Sequence, residues 1–567
     1  MSSAQLGPQQ RRAALVRMAS EVFDIVVVGG GVTGCGCALD AATRGLSVAL
    51  LEQRDYAAGT SSRSSKLIHG GLRYLEQRNF GLVREALRER SLLLKHLCPH
   101  LVHPVPFLFP LARRWERAYL GAGVFLYDRL GGAGAVPSHR HLSRRAALEL
   151  APALRPDALV GAIQYYDAQV DDARHTVTLA RTAALYGAVL ASSARVVGFL
   201  RQGERVAGVR VRDLESGEEI DVRAREVINA AGVWTDELQE FVGGRGKFRV
   251  RASKGIHLVV PRDRLHADTG IILRTEKSVL FIIPWGRHWI IGTTDTDWNL
   301  DLAHPAASRA DIAYLLQCVN AVLRTPLAHE DVVGVYAGLR PLLAGESEET
   351  STLSRDHAVA QPVPGLVVVA GGKYTTYRVM ARDAVDTAAL GLDQAVPPSC
   401  TDTIPLVGAV GYQARYNARG RFAAESGLHI VRIEHLLGRY GSELDRLLAL
   451  IAEQPELGRP LPGADEYLGV EVVYAASHEG ALHLDDVLTR RTRISIETWD
   501  RGLSAAEPAA RLMGGVLNWD DATITRELEH YRARVAAERQ SQEQPDDHTA
   551  DAARLGAPDV RMGARTG

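Results

Sequence analysis

The sequence is poor in cysteine, lacks long apolar runs and carries almost no net charge. Its five cysteines (Cys35, Cys37, Cys98, Cys318 and Cys400) show no CxxC spacing. That argues against a structural zinc site or a disulfide framework and favours a reducing, cytoplasmic compartment. No stretch reaches the ~20 apolar residues needed to cross a bilayer. Met1 to Ser20 bears Gln and Arg without a continuous apolar region, so it does not read as a secretory signal. Sixty-six Lys and Arg against 67 Asp and Glu leave a net charge of -1, so no global field draws the chain to nucleic acid. Walker A, HExxH and GxSxG patterns are missing, so NTP chemistry and hydrolysis find no support, and no metal is expected. What is present is a soluble globular composition, long enough at 567 residues for several domains.

Three short apolar segments each run straight into glycine: DIVVV at Asp24 to Val28, EVINAA at Glu226 to Ala231 and GLVVVA at Gly365 to Ala370. Such runs read as buried parallel strands. With a helix over Val32 to Arg44 and a strand over Ser47 to Glu52, the first forms a βαβ unit. An α/β, Rossmann-like nucleotide-binding domain built from discontinuous segments is therefore expected, over 23–85, 165–245 and 355–395.

The stretches Arg251 to Arg262 and Ser278 to Asp295, with Trp285, Gly286 and Arg287 between two β-rich arms, read as antiparallel hairpin structure. They define an inserted substrate or cap domain over 86–164 and 246–354. Apolar residues returning at three and four in Arg432 to Gln454 predict a mainly helical C-terminal domain over 400–536. Residues 1–22 form an N-terminal tail, and 537–567, without a periodic apolar face, are expected to be disordered.

Gly29-Gly30-Gly31-Val32-Thr33-Gly34 satisfies GxGxxG. Gly29 permits the tight turn, Gly31 lets a pyrophosphate approach the backbone, and Gly34 allows close helix packing. Glu52 ends the next strand about 20 residues on, where a ribose would donate to it. This context points to a dinucleotide and leaves FAD and NAD open. Cys35 and Cys37, in the same helix, read as small packing residues.

The motifs SSKLIHGGLRYLE (Ser64 to Glu76), VINAAGVWTDEL (Val227 to Leu238), KGIHLVVPR (Lys254 to Arg262), IGTTDTD (Ile291 to Asp297), GLRPL (Gly338 to Leu342), SRDH (Ser354 to His357) and GGKYTTYR (Gly371 to Arg378) narrow the choice. Together they resemble the aerobic, FAD-dependent glycerol-3-phosphate dehydrogenases, within the glycine/D-amino-acid oxidase-like flavoproteins. The resemblance runs from about Phe23 into the helical C-terminal region. It implies FAD as cofactor, oxidation of glycerol 3-phosphate by hydride transfer, and a quinone acceptor reached from the surface of the cytoplasmic membrane. The cofactor residues it implies, besides the glycines and Glu52, are Thr60, Ser61, Ser62, Ser65, Lys66, Leu67, His69, Gly70, Gly71, Ala231, Gly232, Gly371, Gly372, Lys373 and Thr375.

Such a reaction needs a clamp for a phosphate dianion. The motif-borne cations Arg73, Arg340, Arg355 and Lys373 suit it, because guanidinium meets phosphate oxygens bidentately. A base is also needed. His257, set by the period of two on the face opposite Ile256 and Leu258, is the natural one, with Lys373 as a rival. Tyr74, Thr293 and Thr294 are candidates for hydrogen bonds to substrate or flavin. Leu111 to Leu130 mixes Arg113, Arg114, Arg117 and Arg129 with Trp115, Tyr119, Phe125 and Tyr127, as an interfacial helix does. The alternatives are an oxygen-using oxidase of glycerol 3-phosphate, an amine or amino-acid oxidase with a carboxylate clamp, and a non-enzymatic flavin scaffold. A homodimer is one arrangement the sequence allows.

Overall fold

The computed structural model describes residues 4–76, 79–131, 134–243, 249–275, 279–344 and 356–562. The strand Val22–Val28 is apolar and buried from Ile25 onward. It pairs in parallel with Val48–Leu51 on one side and Glu219–Asn229 on the other, and the latter pairs in parallel with Leu366–Gly371. The three sequence segments that ended in glycine thus lie side by side in one eight-stranded sheet. Helix Val32–Thr43 packs against Asp172–Leu185 and Tyr377–Ala389 on one face. Small residues make that approach feasible: a Cβ on Gly36 would stand 3.1 Å from both Ala381 and Tyr377. Cys35 and Cys37 lie in this core and are free thiols, as expected of small packing residues.

The second sheet has ten strands. Val250–Pro261 lies between His288–Gly292 and Gly334–Leu343, antiparallel to both. Val279–Trp285 and His288–Gly292 form the expected hairpin, turning where Gly286 takes φ +52°, a conformation that suits a residue without Cβ. Gly161–Val170 pairs along its whole length with Val102–Leu111. It belongs entirely to this sheet, so the expected boundary at 165 cuts through a strand.

The C-terminal region is helical, including Ile430–Tyr440, Leu444–Glu453, Leu503–Leu517 and Asp521–Glu543. The disorder expected from 537 onward is corrected over the described residues. Helix Asp521–Glu543 continues through that point and Asp547–Arg554 adds another. Its contacts explain why no apolar stripe is visible. Tyr531, Val535, Ala537 and Ala550 are buried, and charged side chains do the rest: Arg561 binds Asp486 at 3.0 Å and Asp547 binds the buried Lys254 at 2.5 Å. Residues 563–567 of that tail lie outside the described residues. The N-terminal segment, also expected as a tail, carries helix Pro8–Ser20, whose Arg11 pairs with Asp213.

Candidate functional site

A cleft runs from the glycine turn, between the two sheets, to the strand Val250–Pro261. At its first end Gly29 has φ +114°, and a Cβ there would lie 2.6 Å from the carbonyl oxygen of Ala230. A Cβ on Gly34 would approach the Gly29 oxygen to 1.9 Å, so only glycine lets the helix start here. Ser61 Oγ accepts the Val32 N–H at 2.9 Å and Thr60 donates to the Leu339 carbonyl at 2.6 Å, fixing the following loop over the turn. Glu52 accepts the N–H groups of Gly30 and Arg54, both at 2.7 Å, which holds its carboxylate at the cleft wall. Burial pushes its pKa up, against those two bonds.

At the far end Arg340 stands opposite Ser253 in the sheet register. Its guanidinium donates to Thr293 Oγ1 and to the Thr294 carbonyl, each at 3.1 Å, with Asp295 at 3.5 Å. Lys373 follows Gly371 and Gly372, whose φ values of +75° and +76° turn the chain at the strand end. Its Nζ lies 3.5 Å from the centre of the Tyr74 ring. Both cations line the cleft.

His257 lines the same end and is 2% exposed, while Ile256 and Leu258 point into a separate core. Its Nε2 shares a 2.8 Å hydrogen bond with Ser65 Oγ, and its ring stacks on Tyr336 at 4.7 Å. Burial, then the charges of Arg340 and Lys66, hold its pKa well below the usual 6.5. The imidazole is therefore neutral at pH 7 and able to accept a proton.

Of the residues singled out from sequence, the cleft brings together Gly29, Gly31, Glu52, Thr60, Ser61, Ser65, Leu67, His69, Tyr74, Ala231, Gly232, His257, Arg340, Gly371, Gly372, Lys373 and Thr375. Others stand behind it. Thr293 and Thr294 do not line the cleft: Thr293 accepts from Arg340, and Thr294 Oγ1 accepts the Ile256 N–H at 3.0 Å, so they position the arginine and its strand. Lys66 is fully buried, with Nζ bound to Asp172 at 2.8 Å and to the Ser62 carbonyl at 3.2 Å, which corrects its expected contact with cofactor. Ser62 turns its hydroxyl to Gly59. Gly70 and Gly71 answer to packing, since Cβ atoms there would meet Leu87 at 2.6 Å and Tyr74 at 2.3 Å. The side chain of Arg73 and the whole of Arg355 lie outside the described residues.

Sequence reasoning missed Arg54, Arg63 and Trp234, which also line the cleft. Arg54 lies 5.3 Å over the Trp234 ring, and burial followed by the charge of Arg54 pushes the Arg63 pKa down to about 9. The available signal was their place inside the motifs, two residues after Glu52 and within TSSRSSK and AAGVWTDEL.

These features fit a dinucleotide on structural grounds: a glycine cradle that a Cβ would fill, a carboxylate at the ribose distance along the chain, and a long cleft. At the far end His257 Nδ1 is buried without a hydrogen-bond partner among the described residues, an unmet capacity that a bound group can satisfy. No group of three His, Cys, Asp or Glu able to hold a metal occurs among the described residues.

Comparison with known proteins gives the same picture. The family model described as FAD dependent oxidoreductase matches residues 24–385, and that described as C-terminal domain of alpha-glycerophosphate oxidase matches 399–524. The chain is 61% identical over 560 residues to glycerol-3-phosphate dehydrogenase 2 of Mycobacterium tuberculosis, covering 99% of this chain and 96% of that protein. It is 37% identical to the human mitochondrial glycerol-3-phosphate dehydrogenase, over 93% of this chain and 75% of that one. Among solved structures, the FAD complex of the Bacillus halodurans glycerol-3-phosphate dehydrogenase superposes with a TM-score of 0.77 at 29% identity, covering 94% of this chain and 98% of that chain.

Proposed function

The chain belongs to the FAD-dependent glycerol-3-phosphate dehydrogenases, and from that premise we propose how its residues divide the work of oxidising glycerol 3-phosphate to dihydroxyacetone phosphate. FAD, when bound, supplies the hydride acceptor for the hydrogen on C2. His257 is the group that takes the C2 hydroxyl proton, since it is neutral, buried and at the cleft. Arg340 and Lys373 hold the phosphate, with Arg73 and Arg355 as further cations from the motifs, and the hydroxyls around Arg340 keep its fork oriented. Glu52 meets the ribose, and Gly29, Gly31 and Gly34 leave room for the pyrophosphate. The observation that carries this reading is one cleft joining the glycine turn to Arg340, Lys373 and His257. Anaerobic titration of the purified yellow protein with glycerol 3-phosphate tests it: the flavin absorbance is expected to bleach stoichiometrically, and an unbleached spectrum would sink it.

The acceptor we propose is a quinone, met at a membrane surface. No helix among the described residues is long and apolar enough to cross a bilayer. Helix Glu116–Leu130 and the turn before it instead expose Trp115 (58%), Tyr119 (53%) and Phe125 (51%) beside Arg113, Arg114 and Arg129. Aromatic rings with arginines suit a headgroup layer. Replacing the three arginines by glutamine is expected to weaken binding to anionic vesicles without lowering turnover with a soluble dye; equal vesicle binding would count against this surface. Peroxide yield in air compared with turnover of a quinone analogue separates the oxidase alternative.

A further inference from the structure

Behind His257 lies a buried ionic cluster that the reaction does not use directly. Asp172, at the start of helix Asp172–Leu185, is fully buried and touches two separate parts of the molecule. Its Oδ2 accepts the backbone N–H and the hydroxyl of Ser64, at 2.9 and 2.7 Å. Its Oδ1 accepts Lys66 Nζ at 2.8 Å and the guanidinium of Arg493, which comes from the C-terminal helical region. Arg493 is 2% exposed and also donates to Asp171 at 2.5 Å and to the Ser62 carbonyl at 3.2 Å. The segment Ser62 to Lys66 is thus held from both sides, with Lys66 at φ +58°, a left-handed backbone rare for lysine.

That segment carries the immediate neighbours of the imidazole. Ser65 Oγ shares the 2.8 Å hydrogen bond with His257 Nε2. Tyr336, whose ring lies on His257 with an interplanar angle of 11°, donates its hydroxyl to the Ser64 carbonyl at 3.0 Å. Lys66 Nζ stands 5.0 Å from the same tyrosine ring. Edge and face of the imidazole are both set by groups tethered to Ser64, Ser65 and Lys66.

We infer that Arg493 is a positioning residue for the reaction: docking of the C-terminal helices, through Arg493 and Asp172, locks the Ser62 to Lys66 segment and with it the placement of His257. This gives the C-terminal region a part in turnover without contact with substrate, and it rests on His257 being the base. The choice of arginine follows from geometry, because one planar fork reaches two carboxylates and a carbonyl where lysine offers a single point.

The test is kinetic, on the FAD-loaded enzyme. R493Q is expected to lower kcat about 10- to 100-fold, the scale of a misplacement near 1 Å at a reacting group, while KM stays within about threefold and R493K falls between. In an H257Q background R493Q is expected to add almost nothing, because both act through the same imidazole. Should R493Q lose its fold, R493Q/D171N removes one charge of each sign and keeps Asp172. Flavin content per chain reports whether either variant is assembled. Unchanged kcat in an assembled variant overturns the inference, as does an equal loss in the wild-type and H257Q backgrounds. Normal kcat in H257Q alone fails the reading of His257 as base, and the inference falls with it; a defective H257Q beside a normal or additive R493Q fails only the role of Arg493.

Discussion

Arg340 at the cleft is partly exposed and Arg491, at the seam between the nucleotide sheet and the C-terminal helices, is fully buried, and their partners differ in kind. Arg340 meets hydroxyls and a carbonyl at 3.1 to 3.4 Å. Arg491 meets both oxygens of the fully buried Asp55, at 2.6 and 2.7 Å, and the Glu479 carbonyl besides. Arg490 donates to the same Asp55, and Arg174 grips Glu479 with both of its terminal nitrogens. A guanidinium matched to a carboxylate at 2.6 to 2.7 Å has its fork filled, whereas Arg340 is held more loosely, by hydroxyls, a carbonyl and Asp295 at 3.5 Å. Charge at the seam joins domains; charge at the cleft lines a cavity.

Four substitutions would break or sharpen that contrast. The largest effect belongs to the cleft: H257Q is expected to lower kcat/KM by about 10² to 10⁴, the usual worth of a general base, with flavin content unchanged. Next comes the seam. D55A leaves two buried guanidiniums short of a partner and is expected to cost about 3–5 kcal/mol in urea denaturation, with KM near wild type in whatever fraction remains folded. A raised KM in D55A would erase the distinction between the two regions.

R340A should do the converse, raising KM about 10- to 100-fold, the scale of one lost charge-assisted bond, with little change in the unfolding midpoint. The acid limb of kcat/KM is expected below pH 6.5 in the wild type, because a depressed imidazole stays neutral to lower pH. It should move upward in R340A, where one of the cations that depress it is gone. The last effect, read only as a change in slope with pH, is at the seam again. Against burial and the charge of Arg561, hydrogen bonds to Glu215 and Glu527 hold His483 at about 10. A raised folded pKa contributes stability that is fully present below the unfolded value near 6.5 and is lost as pH rises through about 10. H483Q should therefore flatten the fall in stability between those limits; an unaltered slope would remove His483 from the seam's charge balance.

The nucleotide fold was legible because its signals are local: an apolar run, a glycine and an acidic strand end lie within thirty residues of one another. His257 was reachable by the period of two, since its neighbours Ile256 and Leu258 had to face a core. The roles of Lys66, Thr293 and Thr294 were not legible. Their partners, Asp172, Arg340 and the strand at Ile256, lie 38 to 106 residues away in sequence and meet them only in the fold. The end of helix Asp521–Glu543 beyond 536 and helix Asp547–Arg554 were lost for a related reason, because their inner faces are built from charges such as Glu538 and Arg554 as well as from apolar residues.

The strand that bears His257 also bears Lys254, whose buried ammonium is bound by Asp311 and by Asp547, the latter 293 positions further along the chain. Strands form where the polypeptide is already available, whereas this partner leaves the ribosome 293 residues later. At 5–20 residues per second the interval is on the order of 15 to 60 seconds. During it the nascent chain holds this buried ammonium on Asp311 alone, without its second carboxylate. Helix Asp547–Arg554 therefore closes this ion cluster late, and a chain cut before Asp547 is expected to be a substrate for chaperones and proteases rather than a shortened enzyme.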